Sequence, residues 1–97
     1  MTDIDVAATL KQKLGIDFRN YRILGACNPP LARKALTEEN KIGVLLPCKV
    51  IIQETNSGQT EIAAIDPRAA MERVGNPALG ATAREVASRL KRVIELV

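Results

Sequence analysis

The chain contains no histidine and no tryptophan, and Phe18 and Tyr21 are its only aromatic residues. Without histidine there is no Ser-His or Cys-His nucleophile pair, no imidazole metal ligand and no side chain that ordinarily titrates near pH 7. Two aromatic residues are too few for the base-stacking platforms of proteins that bind single strands. These absences exclude several common classes of enzyme, metalloprotein and nucleic-acid-binding protein.

Cysteine and long apolar runs are also scarce. The only cysteines are Cys27 and Cys48, whereas a small secreted scaffold normally carries more. No segment approaches the ~20 apolar residues of a membrane span, and the acidic residues 1–5 do not resemble a signal peptide. We therefore predict a cytoplasmic protein with reduced thiols and no membrane association.

The length and charge predict one small domain over residues 1–97. The net charge of +3 and the hydrophobic fraction of 46% are ordinary for a globular protein. A chain of this length buries only about 60–65% of the surface that its unfolded form exposes. A partner subunit would therefore add useful stability.

Hydrophobic periodicity and turn residues predict an α+β domain. The expected sheet is small, largely antiparallel and three-stranded, with helices packed on it in two layers. The predicted strands are residues 21–27, 48–55 and 59–65, the last two joined by a hairpin turn at residues 56–58. The predicted helices are residues 5–14, stopped by Gly15, then 29–39, 67–75, and a last helix that begins after Asn76-Pro77 or at the capping box Thr82…Glu85.

The last helix combines an apolar seam with a basic face. The seam consists of Leu79, Ala83, Val86, Leu90, Val93 and Val97. The basic residues are Arg84, Arg89, Lys91 and Arg92. A solvated face is the usual role of such charges, and contact with phosphate or nucleic acid is the alternative.

The two cysteines are the candidates for chemistry. Cys27 directly precedes a helix start, where the helix dipole favours a thiolate, but Pro29 and Pro30 supply no N–H groups. Lys49 follows Cys48, although successive strand residues point to opposite faces. Parallel strands would place the cysteines at opposite ends of the sheet, and antiparallel strands at the same end. Two thiols do not complete a zinc shell, so we predict no metal site.

Two motifs make the sequence similar to a known family. Ala-Cys-Asn-Pro at residues 26–29 and Leu-Pro-Cys at residues 46–48 resemble the family called domain of unknown function 302. The resemblance extends over nearly the whole chain and implies a small bacterial or archaeal α+β domain, often dimeric, with no established activity. Members commonly have asparagine where this chain has Lys49. They also usually begin with an extra strand and helix, so we expect this chain to be an N-terminally short version of the family domain.

We therefore predict a non-enzymatic, self-associating domain, expected to be a homodimer. A small ligand or ion would bind at Cys27, Asn28, Cys48 and Lys49, through thiols, an amide and backbone groups at the helix start. The residues indicate no catalytic group and no particular cofactor. A thiol-dependent redox or transferase enzyme using Cys27 or Cys48 is the alternative, and nucleic-acid binding by the last helix is a third reading.

Overall fold

The computed structural model describes residues 2–96, which form one four-stranded antiparallel sheet with helices packed on it. The strands, in sheet order, are β1 (Thr2–Asp5), β2 (Tyr21–Ala26), β3 (Cys48–Glu54) and β4 (Thr60–Ala64). The helices are α1 (Val6–Leu14), α2 (Pro29–Glu38), α3 (Pro67–Glu72) and α4 (Gly80–Glu95), with 3₁₀ turns at Ile42–Leu45 and Pro77–Leu79. The predicted α+β class and antiparallel sheet are confirmed.

Strand β1 adds a fourth strand to the three that were predicted. It pairs antiparallel with β2, with Ile4 opposite Ile23. Arg22 bridges the two acidic residues of β1, with Nη1 2.8 Å from Asp3 Oδ2 and Nη2 3.3 Å from Asp5 Oδ2. Residues 2–5 lack the alternation of apolar residues that predicts a strand. Backbone pairing and cross-strand charges hold the segment instead, and both depend on β2. Asp5 ends β1 and caps α1, which Gly15 closes at φ 67°.

The three predicted starts that pair a capping side chain with a following proline are all present. Asn28, Asp66 and Asn76 each accept a hydrogen bond from a backbone N–H in the turn that follows. After Asn76 the chain forms a 3₁₀ turn that leads into α4 at Gly80. The alternative helix start at Thr82 is wrong, because Thr82 already lies inside α4 and is buried there.

The buried apolar residues divide into two clusters. The helix cluster joins α2, α3, α4 and the 3₁₀ turns, and comprises Ala35, Ile42, Met71, Leu79 and Ala83. The sheet cluster packs α4 against β3 and comprises Cys48, Val50 and Leu90. The predicted seam of α4 thus spans both clusters, although Val93 is half exposed and Val97 lies outside the described residues. Helix α4 consequently divides the interior between the sheet and the other helices.

Candidate functional site

Antiparallel pairing of β2 and β3 brings the two cysteines to the same end of the sheet. Ala26, the last residue of β2, lies opposite Cys48, the first residue of β3, and Cys27 follows directly. Both cysteines are free thiols; Cys27 is exposed, whereas Cys48 is only 5% exposed. The sequence left open whether the two cysteines meet, and the antiparallel register places both thiols beside one opening.

That opening is a cavity of about 190 Å³ between the ends of β2 and β3 and the helices α2 and α4. Cys27, Asn28 and Cys48 all line it. Most of the remaining wall is apolar and includes Leu31, Ala35, Leu46, Met71, Val86 and Leu90. An apolar cavity of roughly 150 Å³ holds a benzene molecule, so this one has room for a ring with a small substituent.

Lys49 is the one predicted site residue that the described part of the chain does not bring to the cavity. It pairs with Gly25 and follows Cys48, so the alternation of a strand turns its side chain to the opposite face of the sheet. Its Nζ lies 3.3 Å from the carbonyl oxygen of Pro47 and donates a hydrogen bond to it. Adjacency in sequence therefore does not become adjacency in space.

The start of α2 offers fewer donors than the sequence suggests. The N–H of Leu31 donates to Asn28 Oδ1 at 3.2 Å, and the N–H of Ala32 donates to the Asn28 carbonyl at 2.8 Å. Pro29 and Pro30 have no N–H groups. The first-turn amides are thus already used, whereas the side-chain amide of Asn28 donates no hydrogen bond within residues 2–96.

Two further polar residues of α4 reach the same cavity. Thr82 is 4% exposed, and its hydroxyl makes no hydrogen bond to another residue of the described chain, yet it is not sealed from the cavity. Arg89 donates from Nε to Glu85 Oε1 at 2.9 Å, and its other guanidinium N–H groups have no partner within residues 2–96. Sequence reasoning assigned Thr82 to a capping box and Arg89 to a basic face and missed their place at the cavity. Their spacing with Val86 and Val93 nevertheless puts all four on one helical face.

Burial makes Cys48 a poor nucleophile. Burial raises the pKa of its thiol, the nearby Cys27 raises it further, and Lys49 lowers it. Since the thiolate is the reactive form, little of Cys48 is reactive near neutral pH. This burial counts against an enzyme that attacks through Cys48.

The described residues show neither a metal-binding cluster nor a membrane-spanning helix. Within residues 2–96 no three or more His, Cys, Asp or Glu side chains are grouped so that they could hold a metal ion. Over the same range no helix is both long enough and apolar enough to cross a membrane.

Comparisons with known proteins assign the family. The family model described as "Domain of unknown function DUF302" matches residues 1–97. The chain belongs to the DUF302 family. A crystal structure of an uncharacterized conserved DUF302 protein from Bacillus stearothermophilus is similar, with a TM-score of 0.89 and 31% identity over 98% of this chain and 73% of that one. No curated protein matches the chain.

The two motifs that resembled the family form parts of one wall in this DUF302 chain. Residues Ala26, Cys27 and Asn28 of the first motif line the cavity, as do Pro47 and Cys48 of the second. The pairing of β2 with β3 accounts for this meeting, because it places Ala26, the first residue of one motif, opposite Cys48, the last residue of the other. The motifs are therefore features of a single site rather than of two separate ones.

Proposed function

We propose that this DUF302 domain binds a small, largely apolar molecule in the cavity between α2, α4 and the ends of β2 and β3. A concave, mainly apolar wall with a few convergent polar groups is the common form of a small-molecule site. The polar groups here are the thiols of Cys27 and Cys48, the Asn28 amide, the Thr82 hydroxyl and the Arg89 guanidinium.

The main support for the proposal is the Thr82 hydroxyl, which lies at the cavity without a hydrogen bond to another described residue. Thr82 is more than nine-tenths buried on the wall of the cavity, but its hydroxyl is open to the cavity rather than sealed inside the protein. Many helical threonines bond the carbonyl four residues earlier, as Thr37 does with Arg33 at 2.8 Å. Thr82 makes no such bond to another described residue, so a ligand in the cavity can pair with it without breaking a hydrogen bond within the protein.

Filling the cavity tests whether it is the binding site. Benzamide serves as the probe, since its ring suits the volume and its amide can pair with Thr82 or Asn28. We expect benzamide to shift the NMR methyl signals of Leu31, Val86 and Leu90 in the unaltered protein. Ala32→Leu, which places a larger side chain on the cavity wall, should abolish these shifts.

The control is Ala8→Leu, on an exposed position of α1 away from the cavity, which should leave the titration unchanged. Circular dichroism checks that both variants are folded. Benzamide binding that persists in folded Ala32→Leu, or shifts that scatter away from the cavity, would contradict the proposal. Thr82→Val, which keeps the shape but removes the hydroxyl, should weaken benzamide about three- to tenfold and leave toluene unaffected.

We also propose that the domain self-associates as a homodimer. None of the residues of α1 is buried, and large apolar side chains stay exposed in β1, in α1 and in the connector to β2: Ile4, Leu14, Ile16 and Phe18. A second copy covering this surface would bury area that a short chain cannot bury alone. Light scattering at micromolar concentration should report a dimer that Leu14→Glu weakens, and a monomer throughout would refute the proposal.

A further inference from the structure

We infer that the molecule bound in this cavity carries a carboxylate that pairs with Arg89. The inference rests on the proposed function, because it names the chemical class of the ligand for the same site. Its body would be apolar and about the size of a benzene ring, as the 190 Å³ cavity and its apolar wall require.

Charge is the first argument. Among residues 2–96, Arg89 is the one charged residue that lines the cavity, and no acidic side chain lines it. Glu85 lies outside the wall and accepts from Nε at 2.9 Å. That contact leaves the two terminal nitrogens of the guanidinium available, and they form the planar edge that matches a carboxylate.

The balance of donors and acceptors is the second argument. The Asn28 oxygen is already used by the N–H of Leu31, so that side chain presents its NH₂ group as a donor. Thr82 can donate through its hydroxyl, and the guanidinium of Arg89 only donates. A wall rich in donors calls for a ligand rich in acceptors, and an ionised carboxylate accepts at both oxygens.

The location of Arg89 is the third argument. Its side chain is about half exposed at 52%, whereas Thr82 lies at depth on the same helix. A ligand can therefore keep its carboxylate near the solvent-accessible end while its apolar body contacts Leu31, Leu46 and Leu90. This arrangement avoids the desolvation of a fully buried charge, which is costly.

Matched ligands test the inference on the intact chain. Benzoate and benzamide have nearly the same shape and differ in charge, and toluene lacks both polar atoms. At low ionic strength we expect benzoate to bind about tenfold more tightly than benzamide, and added salt should narrow the difference. The dissociation constants come from NMR titration of the cavity methyl groups.

Variants of α4 test whether Arg89 causes the preference for benzoate over benzamide. Arg89→Gln should weaken benzoate about tenfold and change benzamide by less than about twofold. Glu85→Gln breaks the same ion pair but retains the cation, so benzoate binding should persist or strengthen. Arg92→Gln removes an exposed charge of α4 that does not line the cavity, and it should change neither ligand.

The outcomes separate this inference from the proposed function. If benzamide and toluene bind in the cavity and benzoate binds no more tightly, the inference that the ligand carries a carboxylate is wrong, and the proposal of a small-molecule site is retained. If benzoate binds Arg89→Gln as tightly as the unaltered protein, the partner of its carboxylate is another group and the inference is overturned. If none of the three probes binds at millimolar concentration, both proposals fail.

Discussion

Gly25 links the sheet to the wall of the cavity, and its replacement by alanine tests that link. A Cβ at this position would lie 2.6 Å from Pro47 Cγ and would overlap Thr2 Oγ1. Thr2 can rotate away, but the Pro47 ring is rigid and is held between Leu46 and the first residue of β3. Glycine within a strand commonly marks such a close approach of another segment.

The expected change in the free energy of unfolding combines two opposing effects. Overpacking by a single methyl group in a tight site costs about 1–3 kcal/mol, while replacing glycine stabilises by about 0.4–1 kcal/mol through the unfolded state. We expect Gly25→Ala to lower the free energy of unfolding by about 1–2 kcal/mol, or Tm by about 5–10 °C for a domain of this length. The displaced Pro47 should also weaken benzamide binding, since Pro47 lines the cavity.

Urea unfolding followed by circular dichroism measures the free energy, with Gly43→Ala as the matched control. The nearest atom to a Cβ at Gly43 is Leu36 Cδ2 at 3.9 Å, an ordinary contact. Gly43→Ala should therefore be neutral or slightly stabilising. Equal stability of Gly25→Ala and Gly43→Ala would show that Pro47 does not crowd this position.

The remaining predictions concern the core and the thiols. Leu79 is 1% exposed, so Leu79→Ala should lower the free energy of unfolding by about 2–4 kcal/mol. Leu96→Ala, at a position 87% exposed, should leave the free energy of unfolding within about 0.5 kcal/mol of the original. Equal losses in the two variants would contradict this assignment of the core. Iodoacetamide should alkylate Cys27 in Cys48→Ser at least about tenfold faster than Cys48 in Cys27→Ser, because only Cys27 is exposed and only the thiolate reacts. The raised pKa of Cys48 means that its unfolded thiol ionises first as the pH rises, so the free energy of unfolding should fall above the ordinary thiol pKa of about 8.5. Cys48→Ser should lack that slope, and the same slope in both proteins would refute the assignment.

Features of the fold that depend on residues close together in the chain were predictable from the sequence. The hairpin between β3 and β4 follows from a β-branched strand and the turn residues before Gly58, which has φ 80°. The start of α2 follows from Asn28 and Pro29, and the cap is present. By contrast, β1 could not be found locally, because pairing with β2 and contacts with Arg22 hold it in the sheet.

The candidate site divides in the same way. The position of Cys27 and Asn28 at a junction between a strand and a helix follows from the amino-acid sequence, since the capping signal is local. That Cys48 joins them and Lys49 does not depends on the folded chain, because strand direction and side-chain alternation set those positions. The tertiary structure likewise brought Thr82 and Arg89 to the cavity: the spacing along α4 defines a common face, but packing against the sheet determines what that face meets.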